Sequence, residues 1–524
     1  MNARDDVLVL GAGHNGLVCA CYLAMSGLKV RILERRDIVG GACVTEEFHA
    51  SFRNSTTSYT VGLLDSEIIR DLKLFEHGLR IVPRPLANFF PLQDGESLSI
   101  YNDPKDTQRE FNRFSENDAS ALPKFQAMVR EICDVVIPQM HRPPPNKGTG
   151  ICGWIQMLET TREVMRLSTQ RRRDLSKLFL SSVADLVGSW FENPHIQAAV
   201  AFDAIVGNFA SLHTSGSAYG LLHHAIGEIA NQRGIWGHPI GGMGAITQAM
   251  LKQAKDFGIS VETDTEVIEV CIENGKAIGV VLADGSMRRA RAIVANLAPQ
   301  QLYLELIDRG SLEEDFIQNI ENLRSESAVL RINVALSELP QFVCKPSDEI
   351  QDHHQSGIVI GPTLDYMESA YLEARTKDWS QEPVIEMLIP STVDDSLAPT
   401  GQHVASLFCQ YFPYDRDWDR DRERAADTVF KTIDRYASNF SDLVIDRQIL
   451  TPLDLERKFG LPRGDIFHLS HCPSQLWVNR PVFGHAAYRG PISCLYHCGA
   501  GSHPGGGVSG IPGKNSARQI LRDL

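Results

Sequence analysis

The first apolar positions of the chain predict a strand, a helix and a second strand joined by tight turns. Residues 7–10 form an unbroken apolar run, which is typical of a strand buried on both faces. The sequence GAGHNG at 11–16 comes next and leads into an apolar stretch of helical length. A second apolar run, VRIL, ends just before Glu34. This order indicates a βαβ unit with a glycine-rich turn after its first strand.

Two later parts of the chain repeat the strand-rich pattern. Residues 245–257 predict a helix that follows GGMG and ends at Gly258. Turn signals at Asn274-Gly275 and Asp284-Gly285 separate short strand-like runs. The C-terminal residues, 495–524, predict a strand, a glycine-rich turn and a closing helix. The predicted strands after Gly258 are 259–263, 266–272, 277–282 and 291–295.

The segments between these parts have a different pattern. Residues 106–234 are mostly helical, and HRPPPNKGTG at 141–150 predicts a surface loop or a mobile flap within them. Residues 299–454 mix helices with strands, such as 329–336 and 383–389. We therefore predict three units: a discontinuous nucleotide-binding domain of residues 1–105, 235–298 and 455–524, a helical substrate or lid segment of residues 106–234, and an α+β substrate domain of residues 299–454.

The composition is that of a globular protein and narrows the functional classes. The 524 residues are 43% hydrophobic and 22% charged. The net charge of −14 argues against nucleic acid as the main partner. No apolar run is long enough for a membrane-spanning helix, and MNARDD is not a secretory signal, so we expect a cytoplasmic protein. Eleven cysteines without a C-x-x-C motif indicate reduced thiols rather than a disulfide framework.

One stretch, residues 162–177, is strongly basic within this acidic protein. Its cations are Arg162, Arg166, Arg171, Arg172, Arg173 and Lys177. One interpretation is a solvated helix face. The other is a peripheral membrane contact, because each clustered Lys or Arg contributes about 1 kcal/mol near anionic lipid. The sequence leaves both interpretations open.

The acid that follows the second strand indicates which cofactor the glycine-rich turn binds. Glycines in such a turn let the backbone approach a pyrophosphate at the helix N-terminus. Glu34 lies 18 residues after Gly16, close to the spacing of about 20 expected for an acid that binds a ribose diol. Its carboxylate would repel a 2′-phosphate, which disfavours NADP and leaves NAD or FAD. Gly40-Gly41 favours FAD, because glycines so soon after the strand let backbone pass close to a long ligand.

The glycine-rich turn near the C-terminus predicts contacts to a planar ring. Gly499 and Gly501 follow the last predicted strand, and glycines 505–507 lead towards the closing helix. Backbone N–H groups and a helix N-terminus beside a flavin pyrimidine would stabilise the anionic reduced state and promote hydride acceptance. We therefore predict that both ends of the chain meet at FAD.

Taken in order, these motifs resemble the phytoene desaturase-like flavoprotein family, within the amine-oxidase-type FAD superfamily. The resemblance covers nearly the whole chain and rests on GAGHNG, Glu34, Gly40-Gly41, GGMGA at 241–245 and GAGSHPGGGVSG at 499–510. SGSAYGLLHHAIGE at 215–228 and GDIFH at 464–468 resemble a branch named for a pyridine nucleotide-disulfide oxidoreductase domain. The C-x-x-C that such a name would require is missing from this sequence.

The resemblance implies an α/β fold of p-hydroxybenzoate-hydroxylase and amine-oxidase-like architecture. It comprises a Rossmann-type FAD-binding domain, a discontinuous α+β substrate domain and a helical lid. FAD would be held without a covalent bond, with its ribose on Glu34 and its adenine half beside the backbone of Val267. The predicted cofactor-binding residues are Gly11, Gly13, His14, Gly16, Glu34, Arg35, Gly41, Val267, Gly501, Pro504, Gly507 and Val508.

The predicted reaction is hydride transfer between FAD and a lipophilic, polyene- or isoprenoid-like substrate, by desaturation or saturation of a C–C bond. Such a reaction needs one general base, for which Tyr219, His223 and His471 are candidates. A histidine in an apolar helix is more often a core residue. Two other functions stay open: amine-oxidase-like oxidation of a C–N bond, and an FAD-containing binding or assembly protein with little catalytic activity.

The electron acceptor and the metal content are predicted from the motifs that the sequence lacks. No second G-x-G-x-x-G directly follows another predicted strand, so a quinone or oxygen is expected rather than a dedicated NAD(P)H domain. Asp465, His468 and His471 could form a metal cluster, but the remaining ligand pattern is missing and we predict no metal. A homo-oligomer is left open.

Overall fold

The computed structural model describes residues 5–145, 150–229 and 232–524, without the side chains of residues 150–156. The strands are β1 (Asp5–Leu10), β2 (Val30–Leu33), β3 (Thr45–His49), β4 (Phe52–Ser55), β5 (Ile81–Pro83), β6 (Leu86–Pro91), β7 (Ser97–Tyr101), β8 (Glu228–Ile229), β9 (Gln232–Arg233), β10 (Gly237–Pro239), β11 (Ser260–Glu262), β12 (Val267–Glu273), β13 (Lys276–Leu282), β14 (Met287–Ala295), β15 (Val329–Leu336), β16 (Gly357–Ile360), β17 (Val384–Leu388), β18 (His403–Gln410), β19 (Val444–Leu450) and β20 (Leu495–His497).

The α-helices follow the apolar periodicity of the sequence and are distributed over the whole chain. They are α1 (His14–Met25), α2 (Ser66–Asp71), α3 (Pro104–Asn112), α4 (Glu116–Met140), α5 (Gly150–Arg166), α6 (Thr169–Leu180), α7 (Val183–Gly188), α8 (Pro194–Ile205), α9 (Tyr219–Ala225), α10 (Gly244–Asp256), α11 (Glu314–Glu321), α12 (Leu364–Thr376), α13 (Trp418–Asp434), α14 (Pro452–Phe459) and α15 (Ile511–Asp523). Part of the predicted loop or flap at 141–150 lies outside the described residues.

The first sheet joins three distant parts of the chain. Its strand order is β11-β2-β1-β14-β13-β12, and β20 pairs in parallel with the end of β14. β1 lies between β2 and β14, with Val7 opposite both Val30 and Ala292. Helices α1, α10 and α15 bury apolar side chains against this sheet. The Rossmann-type α/β fold is therefore confirmed, and the C-terminal strand completes it.

The second sheet carries two strands that the sequence placed with the nucleotide-binding domain. Its order is β19-β15-β18-β17-β16-β6-β7, so β6 and β7 lie here rather than in the first sheet. Gly357 of β16 pairs with Asn88 of β6, and Phe89 is fully buried in the core of this second sheet. The domain limit at residue 105 therefore does not follow the sheets, because an apolar run predicts burial but not the sheet that buries it.

Helices α3, α4 and α6 to α9 form, together with α12, a separate apolar core that covers one side of the second sheet. This core contains Phe111, Phe125, Phe191 and Phe202, and it joins the sheet through Phe90 of β6. Phe90 and Phe202 contact each other edge to face, with ring centroids 6.3 Å apart. The helical segment is therefore fixed to the sheet by aromatic packing.

The basic stretch lies at the surface of α5 and α6. Arg171 is paired, since its Nε lies 2.7 Å from Glu131 and its Nη1 3.1 Å from Asp174. The side chains of Arg162, Arg166, Arg173 and Lys177 are exposed. Within the described residues, no helix combines the length and the apolar composition needed to cross a bilayer. Peripheral membrane contact through this stretch stays a prediction.

The described cysteines carry free thiols, and most of them are buried. Cys19, Cys21, Cys43, Cys133, Cys409 and Cys498 are buried, whereas Cys271, Cys344, Cys472 and Cys494 are partly exposed. Burial raises the pKa of the Cys43 thiol to about 12, so this thiol stays protonated at neutral pH. These side chains therefore behave as small apolar residues of the core.

Candidate functional site

The turn between β1 and α1 is built from glycines because its backbone is crowded. Gly11 has a φ of +92°, which favours glycine, and a Cβ on Gly13 would lie 2.8 Å from Nδ2 of Asn296. A Cβ on Gly16 would collide with the carbonyl oxygen of Gly11. Gly13 is the N-cap residue of α1, so the free N–H groups of this helix begin at the turn. The turn can therefore bind a pyrophosphate.

Substitution of Gly16 by alanine is expected to open this turn. The added methyl group cannot be accommodated beside Gly11, so we expect FAD binding to weaken by about 1–3 kcal/mol, or about 5- to 150-fold. Flavin absorbance after gel filtration and a thermal melt measure the effect. Gly188→Ala is the control, because a Cβ there meets open space. Full flavin content in Gly16→Ala would show that the turn does not carry the cofactor.

The carboxylate of Glu34 is held in place at the end of β2. Its Oε2 accepts a hydrogen bond from the backbone N–H of Ala12 (2.7 Å), and its Oε1 accepts one from Arg36 (3.0 Å). Glu34 is buried at the first glycine-rich turn. The two backbone donors fix the orientation of the carboxylate, while each oxygen keeps a further lone pair for a ribose hydroxyl.

One large cavity extends from the glycine-rich turn to the second sheet. Its space amounts to about 1810 Å³, the part open to solvent included. Its first part, here called the nucleotide cleft, is lined by Gly11, Gly13, His14, Glu34, Arg35, Gly41 and Val267. Its second part, here called the aromatic chamber, is lined by Tyr59, Leu63, Val206, Trp236, Phe408, Ile466 and Phe467. His223 and Gly506 to Val508 also line the cavity.

Buried polar atoms without partners show that the cavity suits a large polar ligand such as FAD. Among the described residues, Nε2 of His14, Oγ1 of Thr57 and Nδ1 of His468 are buried and have no hydrogen-bond partner. All three residues line the cavity. Since unpaired buried polar groups cost about 1–3 kcal/mol each, a ligand that pairs them would be stabilised. These residues therefore fit a dinucleotide cofactor.

The predicted cofactor-binding residues separate into two groups. Nine of them line the cavity: Gly11, Gly13, His14, Glu34, Arg35, Gly41, Val267, Gly507 and Val508. Gly16, Gly501 and Pro504 do not. Gly501 packs against the ring of Pro299 while its neighbour Ala500 lines the cavity, and Pro504 lines a second cavity. The first group is available to contact the cofactor, whereas Gly16 and Gly501 shape the turns behind it.

The C-terminal turn brings the start of α15 close to the cavity. Gly507 has a φ of +113°, and a Cβ there would collide with the side chain of Leu63. Gly510, in the left-handed region at φ +76°, is the N-cap residue of α15. The positive end of this helix therefore lies just after the residues that line the cavity. This arrangement matches the one expected beside a flavin pyrimidine.

The three proposed acid–base residues lie together in one cluster. The rings of His223 and His471 are 4.6 Å apart at 79°. Tyr219 lies one helical turn before His223, and its ring centroid is 6.4 Å from that of His471. Only His223 of these three lines the cavity. The structure therefore brings all three together but exposes one of them to a ligand.

Burial keeps the two histidines of this cluster neutral. Desolvation, with a smaller contribution from neighbouring cationic groups, holds the pKa of His223 and that of His471 well below the usual value of 6.5. Burial also raises the pKa of Tyr219 to about 12. Nε2 of His471 accepts a hydrogen bond from Gly506 N–H (3.3 Å), whereas Nε2 of His223 is buried without a partner among the described residues. His223 therefore carries the imidazole that can accept a proton.

A fully buried arginine holds the loop that carries His471. Arg480 donates hydrogen bonds to the carbonyl oxygens of Phe467 (2.9 Å), Leu469 (3.1 Å) and Ala500 (2.8 Å). Phe467 stacks on His471 with ring centroids 4.0 Å apart. Arg480 thus connects this loop with the C-terminal turn through hydrogen bonds. No sequence motif identified Arg480 as a residue of the site.

Asp465 holds the same loop in place. Its Oδ1 accepts a hydrogen bond from Phe467 N–H (2.8 Å), and its Oδ2 accepts one from the Ser470 hydroxyl (3.2 Å). Burial raises the pKa of this carboxyl to about 6. Both oxygens are used within the loop, so the Asp465, His468 and His471 spacing has a structural explanation.

Sequence reasoning missed two kinds of site residue. Asn296 packs under the glycine-rich turn, and its Nδ2 donates to the carbonyl oxygen of Gly11 (3.4 Å). It follows β14 at the carboxyl edge of the sheet, where ligands bind in such folds, so this rule could have identified it. Tyr59, Trp236 and Phe408 line the aromatic chamber from three distant segments. No local signal identifies these aromatic residues.

Comparison with known proteins agrees with this geometry. A family model described as flavin containing amine oxidoreductase matches residues 16–429. Pyridine nucleotide-disulfide oxidoreductase domain-containing protein 2 of Rattus norvegicus is 38% identical over 99% of this chain and 94% of its own length. A limonene dehydrogenase component from Castellaniella defragrans is 24% identical over 99% of this chain and 95% of its own length. Phytoene desaturases are among the more distant relatives.

A solved structure shows the same fold. An oxidoreductase from Methanosarcina mazei superposes with a TM-score of 0.63 at 16% identity, covering 99% of this chain and 100% of the other. The similarity extends over all three parts of the first sheet as well as the second sheet. The predicted architecture is therefore confirmed along the chain.

Proposed function

Because the chain belongs to the flavin-containing amine oxidoreductase family, we propose that this FAD-dependent oxidoreductase transfers a hydride between the flavin and a lipophilic, isoprenoid-like substrate. The proposed reaction is desaturation or saturation of a C–C bond. The relative named for limonene supports an isoprenoid substrate. The observation that carries the proposal is the aromatic chamber, which shares one cavity with the nucleotide cleft and with His223.

The lining of the chamber favours an apolar substrate over an amine. The acids that line the cavity are Glu34, Glu266 and Glu305. Thr265, next to Glu266, donates its N–H to the carbonyl oxygen of Glu34, and Glu305 lies near Arg35. All three acids thus belong to the nucleotide end, and among the described lining residues no carboxylate faces the chamber. Behind the chamber, Glu386 accepts a hydrogen bond from the Tyr59 hydroxyl and pairs with Arg84, so its charge is already compensated. A protonated amine would therefore find no free counter-charge there.

The chain's residues supply binding, exclusion of water and a base. FAD, when bound, supplies the acceptor for a hydride. Desaturation also releases a proton from the adjacent carbon. Nε2 of His223 carries the lone pair that can accept it, because burial holds the pKa of this imidazole well below 6.5 and keeps it neutral. The same burial makes His223 a weaker base than an exposed histidine. Tyr59, Phe408 and Trp236 present aromatic surface to the substrate and exclude water from the reacting carbons. Saturation is the reverse, with the proton returning from His223.

Anaerobic mixing with candidate substrates tests the proposed chemistry. We expect limonene or phytoene in mild detergent to bleach the oxidised flavin of the purified protein, while putrescine and cyclohexylamine leave the spectrum unchanged. Photoreduced protein mixed with lycopene tests the saturating direction. The detergent alone is the control. Bleaching by the amines but not by the hydrocarbons would replace C–C chemistry with oxidation of a C–N bond.

A further inference from the structure

A second cavity, with a space of about 820 Å³ that includes its opening to solvent, also reaches the C-terminal glycine-rich turn. It shares Leu63, His223 and Gly506 with the first cavity, so the two spaces converge on the same turn. Its other lining comes from α4, the start of α2, the segment after α9 and the C-terminal turn. None of the aromatic chamber residues Tyr59, Trp236 or Phe408 lines it. A molecule in this second cavity would therefore reach the C-terminal turn beside Leu63 and His223 without contacting the three aromatic residues of the chamber.

The walls and the polar end of the second cavity have different chemistry. Ile137, Met140, Ile226 and Ile511 provide aliphatic walls. At the polar end, Nε2 of His141 lies 3.3 Å from Oδ2 of Asp65. Nδ1 of His141 is buried and has no hydrogen-bond partner among the residues that the structure describes. The cavity thus combines an apolar slot with a protonatable group.

The charges around His141 argue against a metal at this end. Asp65, Glu67 and His141 lie close enough together to be read as three ligands. However, Lys514 is fully buried, forms an ion pair with Glu67 and places its Nζ 3.6 Å from Asp65. This ammonium group already compensates the two carboxylates. The cluster is therefore a charge network that holds His141 in position.

We propose that the second cavity binds a quinone, which takes electrons from the reduced flavin. A flat ring fits between aliphatic walls, and its carbonyl oxygens need polar groups at one end. Reduction of the quinone to the hydroquinone takes two electrons and two protons. A hydride equivalent from the reduced cofactor would supply both electrons and one proton. The other proton would come from solvent through the polar end of the cavity, where burial lowers the pKa of His141 and keeps its imidazole neutral. Dioxygen would need neither the volume nor the polar end.

This proposal rests on the FAD-dependent oxidoreductase function, but not on the identity of the substrate. Quinone reduction can be followed without any substrate, after the flavin has been reduced by light in the presence of EDTA. The two proposals can therefore fail separately. Failure of the hydrocarbons to bleach the flavin leaves the quinone experiment interpretable.

Stopped-flow reoxidation by menadione tests the second cavity. In the unmodified protein, we expect the rate of reoxidation to saturate with menadione concentration, as binding requires. Ile137→Trp, which fills the slot, should lower this rate at least about tenfold. Val135→Trp is the matched control, because Val135 is also a half-buried aliphatic residue of α4 but lines neither cavity. It should change the rate less than about twofold.

A second variant covers the case in which Ile137→Trp does not fold. His141→Gln keeps a similar side-chain volume but cannot carry the proton, so it should slow reoxidation by menadione much more than reoxidation by dioxygen. Flavin content and thermal melts verify that each variant is folded. A linear dependence on menadione concentration, or equal slowing by Ile137→Trp and Val135→Trp, would overturn the proposal.

Discussion

Glu34→Ala is expected to lose FAD during purification, with affinity reduced at least about tenfold. In the predicted site, the carboxylate would accept charge-assisted hydrogen bonds from the ribose, which contribute about 1.5–3 kcal/mol each. The substitution also removes the acceptor for the N–H groups of Ala12 (2.7 Å) and Arg36 (3.0 Å), so the cleft loses its shape as well as its charge. Flavin absorbance per mole of protein after gel filtration measures the loss.

The control for this prediction is another acid on the same sheet. Glu269 of β12 is exposed and does not line the cavity, so Glu269→Ala should retain FAD. Glu34→Gln separates charge from shape, because the amide keeps one oxygen acceptor but no charge. Its affinity should lie between those of the unmodified protein and Glu34→Ala. Unchanged flavin content in Glu34→Ala would show that the ribose is bound elsewhere.

His223→Gln is expected to slow reduction of the flavin by substrate about 10²- to 10⁴-fold while FAD stays bound. This range is the usual contribution of a general base. Glutamine has a similar size but cannot accept the proton that desaturation releases. Anaerobic stopped-flow measurement of flavin bleaching gives the rate constant. His213→Gln is the control, because His213 is an exposed histidine of the same segment.

The pH dependence distinguishes a base from a merely structural residue. Burial holds the pKa of His223 well below 6.5, so its neutral, proton-accepting form predominates at and above neutral pH. The reduction rate should therefore stay constant through the neutral range and fall only when acid protonates His223. In His223→Gln, the acid fall should disappear. An acid fall that persists in this variant would assign the base to another group.

The dinucleotide-binding end of the site was more predictable than the catalytic end. Gly11, Gly13 and Glu34 belong to one local unit, in which a strand, a turn and a helix fix their positions relative to one another. His223 and His471 were also candidates, but the sequence did not indicate that their rings lie 4.6 Å apart. That distance depends on how the loop held by Arg480 packs against α9. The separate roles of the two histidines follow from the same packing.

The sequence by itself determined the βαβ unit, the FAD signature, the glycine-rich C-terminal turn and the family, because each is encoded by residues within a short segment. The tertiary structure alone decided that β6 and β7 join the second sheet, that distant aromatic residues form one chamber, and that a second cavity meets the first at His223. The physical reason is that periodicity specifies which face of an element is buried. Which other element buries that face is decided only when all the cores pack together.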